Sequence, residues 1–154
     1  MANTYTQIYM HIVFAVKGRA SLIQPSFEDE MYKYICGACH NRKHHVRAIN
    51  GTKDHIHMLV GMHPAESVSA LVQSIKIETS KWLHTKYNIK EFAWQSGFAA
   101  FSYSKAFLPQ VENYIAKQKE HHHKKTFKEE LEAIFHLAEI DYDEKYMMQG
   151  IEEI

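Results

Sequence analysis

Hydrophobic and polar positions alternate cleanly over residues 5–16, YTQIYMHIVFAV. Ile8, Met10, Ile12, Phe14 and Val16 share one face, and Gln7, Tyr9 and His11 share the other. A period of two is that of a strand, so this segment is predicted to be a half-buried strand. After Pro25 and Ser26 the period changes. Phe27, Met31, Tyr34, Ile35 and Ala38 recur at helical spacing and predict a helix over 26–43. A hairpin follows: HHVRAIN, a short turn around Gly51 to Asp54, then HIHMLVG. Val68, Leu71, Val72, Ile75, Thr79, Trp82 and Leu83 stripe a long helix over 65–87, with Lys76, Lys81 and Lys86 mostly off the stripe.

A polar loop carrying Trp94 and Gln95 leads into FAAFSYS, 98–104, a further short strand. Residues 107–124 predict one helix, with Pro109 tolerated in its first turn. Another covers 126–138, where Thr126 and Glu129 make a capping-box pattern. The acidic end, 141–154, is expected to add a short helix or to fray. The order β-α-β-β-α-β, then α-α, predicts an α+β fold: a ferredoxin-like antiparallel sheet with helices on one face plus C-terminal helices. The opposite sheet face is then open for a ligand or partner. No repeat, low-complexity tract or linker interrupts the chain. A single domain over 1–154 is expected, with a core of about 5–124 and a helical, acidic C-terminal part of about 126–154.

Composition is ordinary for a globular domain, with 45% hydrophobic and 23% charged residues. No basic start precedes a long apolar run, and the longest apolar stretch, IVFAV, is too short to span a membrane. A cytoplasmic protein without membrane partners is expected. The net charge is zero, but it is unevenly distributed. Residues 1–127 hold 16 Lys and Arg against 9 Asp and Glu, while 128–154 hold 2 against 9. A basic working body with an acidic tail follows. The only cysteines, Cys36 and Cys39 in CGACH, match haem-attachment, redox and zinc patterns. They fall on a predicted helix, without an export signal or a second C-x-x-C. Reduced, buried cysteines are the simpler expectation.

Two constellations carry chemistry. In DHIHMLV, 54–60, His55 and His57 project from one strand face while Ile56, Met58 and Val60 enter the core. Two imidazoles at that spacing can chelate one metal ion. In VENYIAKQKEHHHKK, 111–125, Tyr114 and Gln118 lie four apart on one helical face, with His121 and His122 continuing along it. Tyr114 offers a phenol able to attack a phosphodiester, although a phenol with an ordinary pKa of about 10 needs activation. A metal on His55 and His57 can polarise the phosphate, and Gln118 can add a neutral oxygen ligand. Mixed imidazole and amide-oxygen ligation suits Mn²⁺ or Mg²⁺. A phosphotyrosine conserves the energy of the broken bond, so resealing needs no ATP. No G-x-x-x-x-G-K-S/T loop is present, and no nucleotide cofactor is expected.

These residues resemble a known family. DHIHMLV looks like the HUH motif (histidine, hydrophobic, histidine) of the single-tyrosine, TnpA-type transposases, the insertion-sequence-two-hundred-like family. YMHIVFAVKGR at 9–19 resembles its opening strand, and SVSALVQSIKIETSKWL at 67–83 its helix after the HUH strand. FAWQSGFAAFSYS at 92–104 is similar to its W-Q-x-G-Y/F-x-A-F-S strand, and YIAKQKEHH at 114–122 to its catalytic helix. The resemblance implies the HUH endonuclease fold and a homodimer with merged sheets, in which the Tyr helix of one subunit can complete the other's site. It implies binding of imperfect DNA hairpins at element ends and cleavage of single-stranded DNA beside them. Transposition then proceeds through a 5′-phosphotyrosine, with Mg²⁺ or Mn²⁺ as cofactor. By this comparison Tyr114 is the nucleophile and His55, His57 and Gln118 are metal ligands. A domesticated relative acting on repeated palindromes would use the same chemistry, and a non-catalytic nucleic-acid-binding module would not need it. For DNA contact, phosphates call for Lys and Arg and unpaired bases for aromatic platforms. The candidates are Lys17, Arg19, Arg47, Lys53, Lys76, Lys105 and Lys117, with Tyr9 and His11 on the open strand face. Trp94 is expected to be a packing anchor.

Overall fold

The computed structural model describes residues 3–121 and 126–139. Its elements run β1 (Tyr9–Ala15), α1 (Pro25–Asn41), β2 (His45–Gly51), β3 (His55–Gly61), α2 (Val68–Lys86), β4 (Ala99–Ser102), α3 (Leu108–Ala116), α4 (Gln118–His121) and α5 (Phe127–Leu137). The strands form one antiparallel sheet in the order β2-β3-β1-β4. This is the expected βαββαβ arrangement.

Alternation explains one face directly. Ile12, Phe14 and Val16 from β1 and its end join Ile56, Met58 and Val60 from β3. Against them pack Phe27, Met31, Ile35 and Cys39 of α1 and Leu71, Val72, Ile75 and Leu83 of α2. Each such side chain contributes about 1.5–3 kcal/mol on burial, which makes this layer the main source of stability. Trp94 sits edge-on to Phe14 and Phe92, with ring centroids 4.8 and 4.9 Å away, as a packing anchor. Cys36 and Cys39 are free, and burial pushes the Cys39 thiol up to about 12. Cys39 fits the expectation of an inert thiol at the helix–sheet interface, whereas Cys36 is half-buried rather than buried.

The other sheet face departs from expectation. It was expected to be open, but α3 and α5 cover it. Val13, Ala15 and Phe101 meet Phe127, Leu131 and Phe135 of α5, and Leu59 meets Leu108, Val111 and Ile115 of α3. β1 is therefore buried on both faces from His11 to Ala15, not half-buried. Alternation assigns residues to a face; it does not say what comes back to cover it.

Three local features fix the geometry around β3. At Gly51, a Cβ would lie 2.2 Å from the carbonyl oxygen of His55, so only glycine lets the tight turn into β3 close. In β2 the register slips between Val46 and Ala48, leaving Arg47 as the bulged residue. The single helix predicted over 107–124 is also corrected. It breaks at Lys117 (φ −99°, ψ 18°) into α3 and α4, and residues 122–125 lie outside the described residues. Asn50 stabilises the break. Its amide donates to the carbonyls of Ile115 and Ala116, both at 3.1 Å, satisfying groups that a helix end leaves unpaired.

Candidate active site

The site lies on the covered face, where β1, β3, α3, α4 and α5 meet. β3 presents His55 and His57 in strand alternation, and β1 sets Ala15 opposite His55 and Val13 opposite His57. These small partners leave room above the imidazoles, and α5 fills it. Phe127 stacks on His55 with ring centroids 4.1 Å apart and an interplanar angle of 13°. One helical turn on, Glu130 enters the space between the sheet and α3.

Both imidazoles are oriented from behind. His55 Nδ1 lies 2.7 Å from Asp54 Oδ1 and 3.0 Å from Thr52 Oγ1, and Thr52 donates to the same carboxylate at 2.9 Å. His57 Nδ1 lies 2.8 Å from His11 Nε2. With Nδ1 of each ring engaged, Nε2 of each faces the site. His57 Nε2 is 3.0 Å and His55 Nε2 3.7 Å from Glu130 Oε1. Oε2 of the same carboxylate accepts a hydrogen bond from the phenol of Tyr114 and another from Gln118 Nε2 at 3.1 Å. Glu130 is thus the hub: one oxygen toward the imidazoles, the other toward the tyrosine and the glutamine.

Burial tunes these groups. His55, His57, Gln118 and Glu130 are all buried. Burial raises the Tyr114 phenol well above its usual range, and its hydrogen bond to Glu130 raises it further. His11 is pushed down to about 3, first by burial and then by the charge of His57, so it is a neutral ring at ordinary pH.

The residues present fit a divalent cation. His55, His57 and Glu130 offer ligand atoms within 4.8 Å of one another. Gln118 Oε1 is buried with no hydrogen-bond partner among the described residues, an acceptor that burial penalises unless a donor or a cation completes it. Two imidazoles, a carboxylate and an amide oxygen form a mixed nitrogen and oxygen donor set able to hold a divalent ion.

Of the residues singled out from sequence, Tyr114, His55, His57 and Gln118 are therefore brought together within one chain, around a carboxylate the pattern did not flag. The sequence did carry a signal for Glu130. It falls inside the apolar stripe Phe127, Leu131, Ile134 and Phe135, where a solvated acid has no reason to be. Counting 128–154 as an acidic tail hid it. Asp54, behind His55, was also missed, and proximity to the H-x-H pair was its only signal. His122 lies outside the described residues, as does the acidic end from 140 onward.

The proposed DNA contacts divide. His11 is corrected: only 2% exposed, it is covered by the C-terminal helices and holds His57 rather than a base. Tyr9 is partly buried beneath Arg47, whose guanidinium carbon lies 5.7 Å from the ring centroid. Arg47 pairs with Glu112 at 2.7 Å. Lys76 is half-buried and clasps the loop before β4 by donating to the carbonyls of Gln95 and Gly97. Lys17, Lys53, Lys105 and Lys117 are exposed. Arg19 lies in a short 3₁₀ turn after β1.

Comparison with known proteins agrees with this architecture. The sequence pattern of the family described as "Transposase IS200 like" matches residues 4–118. A chain from Deinococcus radiodurans R1 assigned as a transposase superposes with a TM-score of 0.61 at 16% identity, over 77% of this chain and 96% of that one. A REP-associated tyrosine transposase, solved bound to a REP hairpin, gives 0.60 at 14% identity, over 79% of this chain and 73% of that one. At such identities the structural likeness speaks for the fold, the HUH fold of tyrosine transposases. No curated protein sequence matches. No helix among the described residues is long and apolar enough to cross a membrane.

Proposed function

This chain belongs to the IS200-like transposase family, and on that premise we propose that it cuts and rejoins single-stranded DNA beside hairpins through a 5′-phosphotyrosine on Tyr114. One observation carries the reading. The Tyr114 phenol, both imidazoles and the Gln118 amide converge on a single buried carboxylate, Glu130. A tyrosine serving only the core would not need that company.

In this mechanism His55, His57 and Gln118, with Glu130 joining them, would hold a divalent ion. When bound, the ion supplies positive charge that polarises the scissile phosphate. The protein does the rest. β3 aims both imidazoles at one point, and Asp54 and His11 fix their rings from behind. The break at Lys117 lets α3 deliver Tyr114 while α4 turns Gln118 inward. Phe127 and the apolar side of α5 exclude water, so a phosphotyrosine is kept for rejoining rather than lost to hydrolysis.

Several finer points belong to the same proposal. Residues 1–154 act as one domain, since β1 contributes to the hydrophobic clusters on both sheet faces. Lys53 precedes the HUH strand, Lys117 separates Tyr114 from Gln118, and Lys17 follows the β1 end that pairs with His55. These three exposed cations lie next in sequence to site-bearing segments and are candidates to take phosphates, with Arg19 alongside in sequence. Lys105 sits before α3. A homodimer is the expected assembly, and Tyr114 of each chain serves its own histidines in this arrangement. The hairpin-bound relative makes repeated palindromes a second substrate context with the same chemistry.

The test is direct. Wild type and Tyr114→Phe are incubated with Mn²⁺ and labelled single-stranded hairpin DNA, then denatured and run on a gel. Wild type is expected to carry a covalent DNA adduct and Tyr114→Phe none. Hairpin binding without an adduct, with Mn²⁺ or with Mg²⁺ in its place, would leave a nucleic-acid-binding module instead.

A further inference from the structure

We infer that Glu130 is the proton acceptor for strand cleavage, taking the phenolic proton of Tyr114 as the phenol oxygen attacks the scissile phosphorus. The inference rests on the reading of Tyr114 as nucleophile and assigns the partner that such a phenol requires.

Three observations lead to it. The first is direct contact, because the Tyr114 phenol donates to Glu130 Oε2. A general base must stand within hydrogen-bond reach of the proton it removes, and Glu130 does so before any substrate arrives. The second is the orientation of the carboxylate. Oε1 is turned to His57 and His55, while Oε2 faces the phenol and receives the Gln118 amide. The two oxygens have separate jobs, so one can sit against the imidazole cluster while the other handles a proton. The third is how firmly the group is held. Thr126 and Glu129 close a capping box one turn before it, Phe127 stacks on His55, and Leu131 and Phe135 pack on β1 and β4. An apolar residue at 130 would continue the stripe of α5 at lower cost, since burying a carboxylate is expensive. A helix that spends stability to fix an acid against a phenol is organised for that contact. This helix lies beyond residue 118, where the family pattern stops matching.

The balance is as follows. In cleavage, the Tyr114 oxygen–phosphorus bond forms and the bond from phosphorus to the 3′ oxygen breaks. The phenol proton passes to Glu130 Oε2. It ends on the departing 3′ oxygen, directly or through water, giving a 3′-hydroxyl and restoring the carboxylate. In rejoining, the 3′-hydroxyl attacks the phosphotyrosine. Glu130 carries its proton back to the Tyr114 oxygen, as microscopic reversibility demands.

The experiment compares wild type, Glu130→Gln and Glu130→Asp, each with tyrosine or a more acidic, ring-fluorinated tyrosine at 114. Adduct formation on hairpin DNA, Mn²⁺ affinity and hairpin affinity are measured. At saturating Mn²⁺, Glu130→Gln is expected to form adduct about 10²–10⁴-fold more slowly than wild type, with hairpin affinity close to wild type. The fluorinated tyrosine should restore most of that loss while changing wild type little, because a phenol that ionises by itself needs no base. Glu130→Asp should fall between. An equal or faster rate in Glu130→Gln overturns the inference and makes the carboxylate a bystander or a plug. So does a loss that the fluorinated tyrosine fails to rescue and that tracks Mn²⁺ affinity, because Glu130 is then only a ligand or a structural group. A wild type without adduct takes down the nucleophile reading and this inference together, whereas an active wild type matched by Glu130→Gln takes down this inference alone.

Discussion

The two faces of this sheet are built from the same four strands and hold unlike contents. Against α1 and α2 lies a continuous apolar layer centred on Ile12, Phe14, Ile56 and Met58. Against α3 and α5 lie three histidines, a glutamine, a glutamate and a tyrosine, most of them buried as deeply as the apolar layer. One face holds the fold together by removing hydrocarbon from water. The other has comparable burial, but uses it to orient polar groups that would be better solvated elsewhere. Stability and chemistry are thus divided between faces one strand thickness apart, and β1 and β3 belong to both.

The largest test of that division compares Ile35→Ala with His57→Ala. Ile35 is fully buried in α1, and its truncation should cost about 2–5 kcal/mol, through lost transfer energy and the cavity left behind. The response to metal should survive. Mn²⁺ at a hundredfold excess over its dissociation constant is expected to stabilise both wild type and Ile35→Ala by about 2.7 kcal/mol. His57→Ala should lose that increment, and chelation should abolish it in all three. Urea melts with and without metal check the pattern. Loss of the metal increment in Ile35→Ala would show that the faces do not act separately.

The difference between the faces also decided what could be read from sequence. Alternation in YMHIVFA and HIHMLVG gave both central strands, and the helical stripes gave the layer above them, because each residue's face follows from its immediate neighbours. The same alternation put His55 and His57 side by side. What it lacked was the return of the C-terminal segment. His11 reads as exposed from β1 alone and is buried because α3 and α5, far later in the chain, fold back over that sheet face. Glu130 reads as tail and becomes the hub of the site for the same reason. The break at Lys117 has no mark in its own segment, since it depends on the Asn50 amide from β2. Long-range covers and caps of this kind are tertiary facts, and local pattern does not encode them.

Acid sharpens the comparison next. His11 has a folded-state value of about 3 against 6.5 when free, because burial disfavours its charged form. Between those values the unfolded chain binds a proton that the folded chain refuses. The stabilisation is complete above pH 6.5 and is lost as pH falls toward 3, at about 1.4 kcal/mol per pH unit for one group. Denaturant melts of the metal-free protein at pH 7 and pH 5 should show this loss in wild type. His11→Gln, which has no such proton to bind, should show a shallower one. Equal slopes would mean that His11 is accessible to water, and the polar face less sealed than the apolar one.

The smallest effect isolates α5 itself. Thr126 accepts from the Glu129 backbone at 3.1 Å and completes the capping box, so Thr126→Ala should cost about 1 kcal/mol. Where that cost is felt matters more than its size. α5 docks through Phe127, Leu131 and Phe135, a far smaller apolar contact than α1 and α2 make, so it should open on its own before the sheet does. Amide hydrogen exchange is then expected to quicken across 127–137 while 9–15 and 55–61 keep their protection. The first turn of α5 carries Glu130, so the same loosening reaches the carboxylate that holds the Tyr114 phenol, and the site should feel a cap that the core ignores. Faster exchange throughout β1 and β3 would show instead that the polar cover and the apolar layer open as one unit, and the division between the two faces would be chemical but not energetic.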